Sequence, residues 1–313
     1  MTSRVTVVGE VLVDLLWRAG ADQVLPVPGG SPANVAVGLH RLERPVTLVT
    51  TWGDDPPGAL IGAHLDTIGV EVRRAPSVTE RSTLAIAYLG ADGSASYEFL
   101  AAWDPRELDV PADTVVLHTG SLAMVVEPGA ADVLRACRQV RERSGTAVVV
   151  DLNVRPAVQR DRAAYRAACD RFAEVADVVK ASDEDLAWLH PDMTAEQAAR
   201  DLLARGARLV VVTLGADGAF ALTADTLVRV PAPAVEVKDT VGAGDAFQSA
   251  LLDALAATAS SDGDRLRLPT TADELTGVLT RCVTAAAITC TRLGANPPTA
   301  AELQAAMSSP HDR

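Results

Sequence analysis

Six short runs rich in β-branched residues recur through the first two thirds of the chain, most of them separated by an amphipathic stretch. They are RVTVVGE (4–10), PVTLVT (45–50), DTVVLHTG (113–120), TAVVVDLN (146–153), ADVVKAS (176–182) and RLVVVTLG (208–215). Several are apolar at consecutive positions, which is how a strand reads when both of its faces are covered. Helix patterns lie between them: SPANVAVGLHRLE, GALIGAHLDTIG, GAADVLRACRQVRERSG, DRAAYRAACDRFAEV and TAEQAARDLLARG. Strands joined by crossover helices run parallel and are packed on both sides. The rhythm therefore predicts an α/β fold with a mostly parallel central sheet.

Residues 82–100, STLAIAYLGADGSASYEFL, break this rhythm. They read as a hairpin that turns at Asp92-Gly93. With extended pieces near 11–16 and 24–27 they predict a small second sheet placed as a lid beside the main one. The domain expectation is one domain over residues 1–313, with a lid sub-domain drawn from about 11–27 and 82–103. SSDGDRLRLP (260–269) reads as a linker, and ELTGVLTRCVTAAAITCTRLG (274–294) after it as one long helix.

With 48% hydrophobic and 22% charged residues, the chain of 313 can bury a large core. Its net charge of −13, with no basic stripe, argues against nucleic-acid and anionic-membrane partners. No apolar run is long enough to span a bilayer, and the first residues, MTSRVTVVGEVLVDLL, do not read as a secretion signal. Cys137, Cys169, Cys282 and Cys290 form no CxxC pair, so buried thiols are expected rather than a metal site or disulfides. A cytoplasmic location follows as the expectation. The histidines at 40, 64, 118 and 190 lack ligand spacing.

The stretch VKDTVGAGDAF (237–247) carries the sharpest chemical signal. Val235 to Val237 reads as extended and Ala246 onward as helical, so Gly242-Ala243-Gly244-Asp245 forms the turn into a helix. The free amides at such a turn attract an anion. A carboxylate there would repel phosphate, but it makes sense as a base for a hydroxyl that attacks the phosphorus. It could equally be a helix-capping aspartate after a glycine turn, and the residues alone leave both readings open. No GxxxxGK[ST] loop occurs, and Phe247 stands where a dinucleotide fingerprint needs a small residue. In PGGSPANVAVGLHRLE (28–43), Gly29-Gly30 makes a loop, Ser31 reads as the cap and Pro32 as the first helical turn. Asn34 would emerge in that turn. Together with Asp14 of GEVLVDLL it offers an acceptor and an amide for vicinal hydroxyls; a turn aspartate and a helix-start asparagine are the plainer reading. Trp103, at the end of the lid, is a candidate for stacking on a sugar.

GGSPANVAVGLHRLE followed some two hundred residues later by DTVGAGDAF resembles the paired signatures of PfkB-type carbohydrate kinases, the ribokinase-like fold. DLNVRP (151–156), KASDEDLAWL (180–189), VVTLGADGA (211–219) and CTRLGANPPT (290–299) extend the likeness over roughly residues 4–305, and the style is most similar to the bacterial fructokinase branch. The resemblance implies a three-layer α/β/α domain with a lid, and ATP-dependent phosphorylation of a small sugar hydroxyl. Asp245 would be the base and the amides of Gly242, Ala243 and Gly244 the anion hole. Asp14, Gly30, Asn34 and Arg155 would bind the sugar, and Thr213, Gly215, Gly218 and Asn296 would border ATP. Mg²⁺ is implied, with Asp185 as a contact through water, along with a monovalent cation such as K⁺ near Asp239 and Gly294 and a homodimer formed through the lid. Two departures bear on this. Ser182-Asp183-Glu184-Asp185 stands where many members carry Asn-x-x-Glu, and YEFLAAWDPREL lacks the Tyr-Arg pair of a typical fructokinase lid. The alternative acceptors are 2-keto-3-deoxygluconate, ribose or a nucleoside. Two other classes compete with this reading: a non-catalytic sugar-binding regulator on this fold, against which the intact Asp245 and glycine loop speak, and a nicotinamide dehydrogenase, for which VVGEVLVDLL lacks the glycines.

Overall fold

The structure is a computed structural model and describes residues 3–90, 95–143, 145–259 and 266–308. The chain opens with β1 (Arg4–Val8), β2 (Leu12–Arg18), β3 (Val24–Gly29), α1 (Ser31–Arg41), β4 (Val46–Thr50), α2 (Pro56–Ile68) and β5 (Glu71–Arg74). It continues through β6 (Thr83–Leu89), β7 (Ala95–Leu100), β8 (Thr114–Gly120), α3 (Gly129–Arg141), β9 (Ala147–Asp151), α4 (Arg162–Ala173) and β10 (Val178–Ser182). Then come α5 (Asp183–Leu189), α6 (Ala195–Arg205), β11 (Leu209–Thr213), β12 (Ala219–Leu222), β13 (Leu227–Val230), α7 (Ala243–Ala257), α8 (Ala272–Cys290) and α9 (Ala300–Ser308).

All six strands expected in the main sheet form. They stand in a nine-stranded sheet ordered β13-β12-β11-β10-β9-β8-β1-β4-β5, parallel except for the antiparallel β12 and β13 at one edge. Successive residues of each strand serve two separate cores. Val5, Val7, Val116, Val149 and Val211 pack with α1, α2, α7, α8 and α9 on one face. Leu117, Val148, Val150, Val210 and Val212 pack with α3 to α6 on the other. This two-sided burial explains the continuous apolar runs of the strands. Three strands escape the sequence expectation: β5, with Glu-Val-Arg-Arg, and the four-residue β12 and β13, too short for a period to show.

The second sheet is ordered β3-β2-β6-β7 and is drawn from the segments expected for it. Its strand β2 pairs antiparallel with β3 (Leu12↔Gly29) and parallel with β6 (Leu12↔Thr83), while β6 pairs antiparallel with β7. The Asp92-Gly93 turn and the first part of the 260–269 linker lie outside the described residues. Two staples fix this sheet to the main body. Asp55 accepts from the backbone amide and the hydroxyl of Ser82 at 2.8 and 2.6 Å, and the Thr83 hydroxyl meets both polar backbone atoms of Ala102.

Helices α1 and α7 set the position of the site. Gly38 of α1 faces α7 so closely that a Cβ built there would lie 2.2 Å from the Ser249 hydroxyl. That hydroxyl lies 3.1 Å from the Val35 carbonyl and 2.7 Å from the Asp245 carbonyl. At the other end of α7, Asp253 takes Arg44 on one carboxylate oxygen and Arg281 on the other, each at 2.7 Å. This ion triad ties the loop after α1 to α7 and α8 at one corner and leaves the starts of α1 and α7 to face the cleft.

Candidate active site

A cleft of about 630 Å³ opens at the C-terminal ends of the parallel strands, between the main sheet and the small one. Ligand sites of open α/β sheets lie at this edge, because the strands end there and the following helices begin. A smaller cavity of about 330 Å³, between the end of α7 and the start of α8, is lined by apolar positions such as Leu255 and Val278 and by charged ones, among them the Arg267–Glu274 ion pair. Its arginines are engaged in ion pairs, Arg267 with Glu274 and Arg281 with Asp253, and it lies at the opposite end of α7 from the larger cleft.

Asp245 is the centre of the larger cleft. Gly242 is the cap residue of α7, with φ 76°, so the helix begins at Ala243 rather than at Ala246, and Asp245 stands in its first turn. Gly242 must be a glycine on two counts: its left-handed backbone, and Ala295 only 2.6 Å from where its Cβ would be. The Ala243 amide donates to Thr240 at 3.2 Å, and Ala246 is the first residue with a helix-type partner, Gly242. Among the described residues the amides of Gly244 and Asp245 have no hydrogen-bond partner, which leaves an anion-binding helix start. The stretch 231–238 before this loop forms no strand.

The first turn of α1 points at the same carboxylate. The Ser31 hydroxyl donates to Asp245 Oδ1 at 2.6 Å, and the Asn34 amide donates to Oδ2 at 2.9 Å. Ser31 is thus not the helix cap. Gly30 takes that place, with φ 106° and no side-chain cap, and the freed hydroxyl turns to Asp245. Asp14 and Arg155 also line the cleft. Burial raises the Asp14 carboxyl to about 6; Arg155 works against this and the Asp245 charge adds to it.

Two charged residues of the cleft wall, Lys180 and Glu10, were missed by sequence reasoning. Lys180 is buried, its ammonium 2.7 Å from Asp151 and 3.6 Å from the position a Cβ would take on Gly244. Burial acts to lower its pKa, but Asp151 outweighs that and the net direction is upward, so the group stays charged. One signal was available: a lysine inside an apolar strand pattern, in a chain with only two lysines. Glu10, 1% exposed, accepts from the Ala123 amide at 3.1 Å, and burial pushes its carboxyl up to about 7.

Other expected site residues lie elsewhere. Trp103 is 2% exposed and belongs to the core with Val49, Leu117 and Met124, its ring against Gly129. The chain has left the small sheet by Leu100 and turned into the main body, so Trp103 cannot stack on a ligand in the cleft. Asp185 forms a capping box with Ser182, and its oxygens accept the Ser182 and Val154 amides at 2.8 Å each. Thr213, Gly215 and Gly218 form the turn after β11, at the sheet's C-terminal edge but not on the cleft wall. Asn296 accepts from Arg41 at 2.9 Å. Among the described residues no three His, Cys, Asp or Glu side chains converge to hold a metal ion, and no helix is long and apolar enough to cross a membrane.

Residues 2–302 match the pfkB family of carbohydrate kinases, and the chain belongs to that family. Its curated relatives include the fructokinase of Rhizobium leguminosarum bv. trifolii, 33% identical over 79% of this chain and 78% of that one. The fructokinase of Escherichia coli is 30% identical over 85% and 88%. Among solved structures, the Vibrio cholerae fructokinase with fructose, ADP and calcium has a TM-score of 0.80 at 29% identity, covering 97% of this chain and 98% of that one. Aminoimidazole riboside kinase of Salmonella enterica, with its riboside and an ATP analogue, has a TM-score of 0.79 at 26% identity, covering 98% and 100%. The chain is accordingly a sugar kinase of the fructokinase-like type, and the dehydrogenase reading falls away.

The folded pKa of Asp14, about 6, lies above its ordinary 3.8. An acid raised on folding favours the folded state when protonated, so its penalty is absent at pH values below the ordinary pKa and complete above about 6. Asp14→Asn should therefore stabilise the protein at pH 8, on the order of 1–3 kcal/mol, with the gain shrinking toward pH 5. Urea denaturation at both pH values checks this; a variant less stable at pH 8 would contradict it.

Proposed function

We propose that the protein transfers the terminal phosphate of ATP to a hydroxyl of a small sugar, fructose first among the candidates, with Asp245 as general base. The observation that carries this is one carboxylate in the first turn of α7, beside unpartnered helix-start amides and a buried ammonium. Phosphoryl transfer to an alcohol needs in-line placement, stabilisation of negative charge and removal of one proton. The amides of Gly242 and Gly244 and the charge of Lys180 would hold the phosphoryl oxygens, with Ala243 contributing where Thr240 releases it. Asp14, Arg155, Asn34 and the close-packed backbone at Gly30 would seat the sugar. An alcohol held against Asp245 becomes acidic as its bond to phosphorus forms, so an ordinary carboxylate is a sufficient base.

Thr213, Gly215, Gly218 and Asn296 would border the nucleotide. ATP is supported by the ATP-analogue and ADP complexes of the two structural relatives. Magnesium would neutralise charge on the phosphate oxygens. The donors here fit an ion held chiefly by phosphate and water rather than a protein cage; Asp185, whose two oxygens already accept the Val154 and Ser182 amides, would meet it only through water on their remaining lone pairs. A related Vibrio cholerae structure holds potassium. Asp239 accepts from Val241 at 3.0 Å and from Gly294 at 2.8 Å. It draws together the two loops whose carbonyls would bind a monovalent cation here.

The small sheet acts as a lid that keeps water from the transferred phosphate. Register puts Leu25 and Val27 of the edge strand β3 on the same sheet face as the cleft residues Leu12 and Asp14, yet Leu25 is 60% and Val27 37% exposed. An apolar strip at the edge of a lid fits a homodimer closed lid to lid.

Asp245→Asn should bind sugar and ATP yet turn over roughly 10²- to 10⁴-fold more slowly. ADP release with Mg-ATP and fructose, tagatose, ribose, 2-keto-3-deoxygluconate or adenosine measures this; a variant keeping most of its rate removes Asp245 from the role. If no acceptor exceeds background ATP hydrolysis while one protects against heat, the protein is a sugar-binding regulator. Light scattering should give a dimer mass that Leu25→Arg halves; a monomeric parent would refute the lid interface.

A further inference from the structure

We infer that Ser31 is a positioning residue for the reaction, keeping Oδ1 of Asp245 hydrogen-bonded both before and after that carboxylate takes the sugar's proton. The inference rests on the reading of Asp245 as base. Its starting point is the unequal pair of partners on the carboxylate. Oδ2 faces the Asn34 amide, and Oδ1 faces the Ser31 hydroxyl at the shorter distance of 2.6 Å.

The two partners differ in chemistry. An amide nitrogen only donates, whereas a hydroxyl donates or accepts by rotating about its C–O bond. In the transfer, the O–H bond of the acceptor alcohol breaks and its proton passes to Asp245. The alcohol oxygen bonds to the terminal phosphorus of ATP, and the bond from that phosphorus to the bridging oxygen breaks, its electron pair leaving on ADP. The carboxylate has then become a carboxylic acid. Asn34 can only donate, and its bond to Oδ2 would weaken if that oxygen became the hydroxyl of the acid. Ser31 can serve Oδ1 in either state, as donor to the carboxylate and then as acceptor from the acid. Oδ1 is therefore the oxygen that receives the proton, and Ser31 holds its geometry through the change.

The backbone makes this role available. Gly30, not Ser31, caps α1, so the Ser31 hydroxyl is not tied to its own helix. Ser31 and Asn34 stand three residues apart, on one face of the first turn. Pro32 between them packs against Gly9, where a Cβ would lie 2.3 Å from the proline ring, and this fixes the turn's approach to α7. Lys180, Asp14 and Arg155 also line the cleft, but none of them touches either carboxylate oxygen among the described hydrogen bonds and ion pairs.

The test compares Ser31→Ala, Ser31→Thr and Asp245→Asn with the parent, using Mg-ATP and the acceptor of the panel that turns over fastest. Ser31→Ala should lose roughly 10- to 150-fold in kcat, the scale of one hydrogen bond to a charged group. Its KM for the sugar, and the sugar affinity read by calorimetry, should stay within about threefold. Ser31→Thr keeps the hydroxyl and should recover most of kcat. A parental kcat in Ser31→Ala overturns the proposal, as does a loss that Ser31→Thr fails to restore while melting at the parental temperature. Either result leaves the base reading standing if Asp245→Asn is inactive; an active Asp245→Asn removes that reading itself.

Discussion

Two hydrogen bonds join the first turn of α1 to the first turn of α7, and both end on Asp245. They join residues more than two hundred positions apart and are the point at which the fold becomes a site. The carboxylate is held in an orientation shared by no other acid of the cleft. Asp14 has a charged neighbour in Arg155 but no hydrogen bond from a helix start, and Glu10 is buried beneath on a backbone amide. The enzyme reading depends on that difference: three carboxyl groups of similar intrinsic chemistry are given different tasks by their surroundings.

The packing behind the site serves the same contact. Gly38 lets α1 come against Ser249, Gly9 admits Pro32, and Asp253 clamps the far ends of the helices between two arginines. A side chain at Gly38 would separate α1 from α7 and pull Ser31 and Asn34 off the carboxylate. Under the glycine loop, Asp151 fixes the Lys180 ammonium in place, with its positive end 3.6 Å from where a Cβ on Gly244 would lie. A buried pair is weak evidence for stability. Its value here is electrostatic, because a charge fixed before the reaction needs no rearrangement during it.

Much of this was legible in the sequence, for identifiable reasons. Strands covered on both faces leave continuous apolar runs, so the six main strands were plain, and Gly242-Ala243-Gly244-Asp245 marked the helix start to within three residues. What stayed hidden depended on tertiary direction. Trp103 follows a lid strand in sequence, but the chain turns inward after Leu100 and buries the ring. Ser31 looks like a cap because serine before a helix usually is one, whereas the positive φ of Gly30 shifts the cap by one residue and frees the hydroxyl. Asp185 reads as a metal contact and is occupied by the amides of Ser182 and Val154. Asn296 has a partner that spacing could not show, Arg41 at the end of α1, which donates to its amide oxygen. Spacing along a chain shows which residues start an element; it does not show what the element's side chains meet.

The most direct test of the account is a crystal structure with sugar and a non-hydrolysable ATP analogue bound together. One sugar hydroxyl should lie within hydrogen-bond reach of Asp245, roughly 2.6–3.2 Å, and in line with the terminal phosphorus at the start of α7. A sugar seated with every hydroxyl turned away from Asp245 would contradict it, because no other carboxylate in the cleft stands at a helix start that can hold the phosphate.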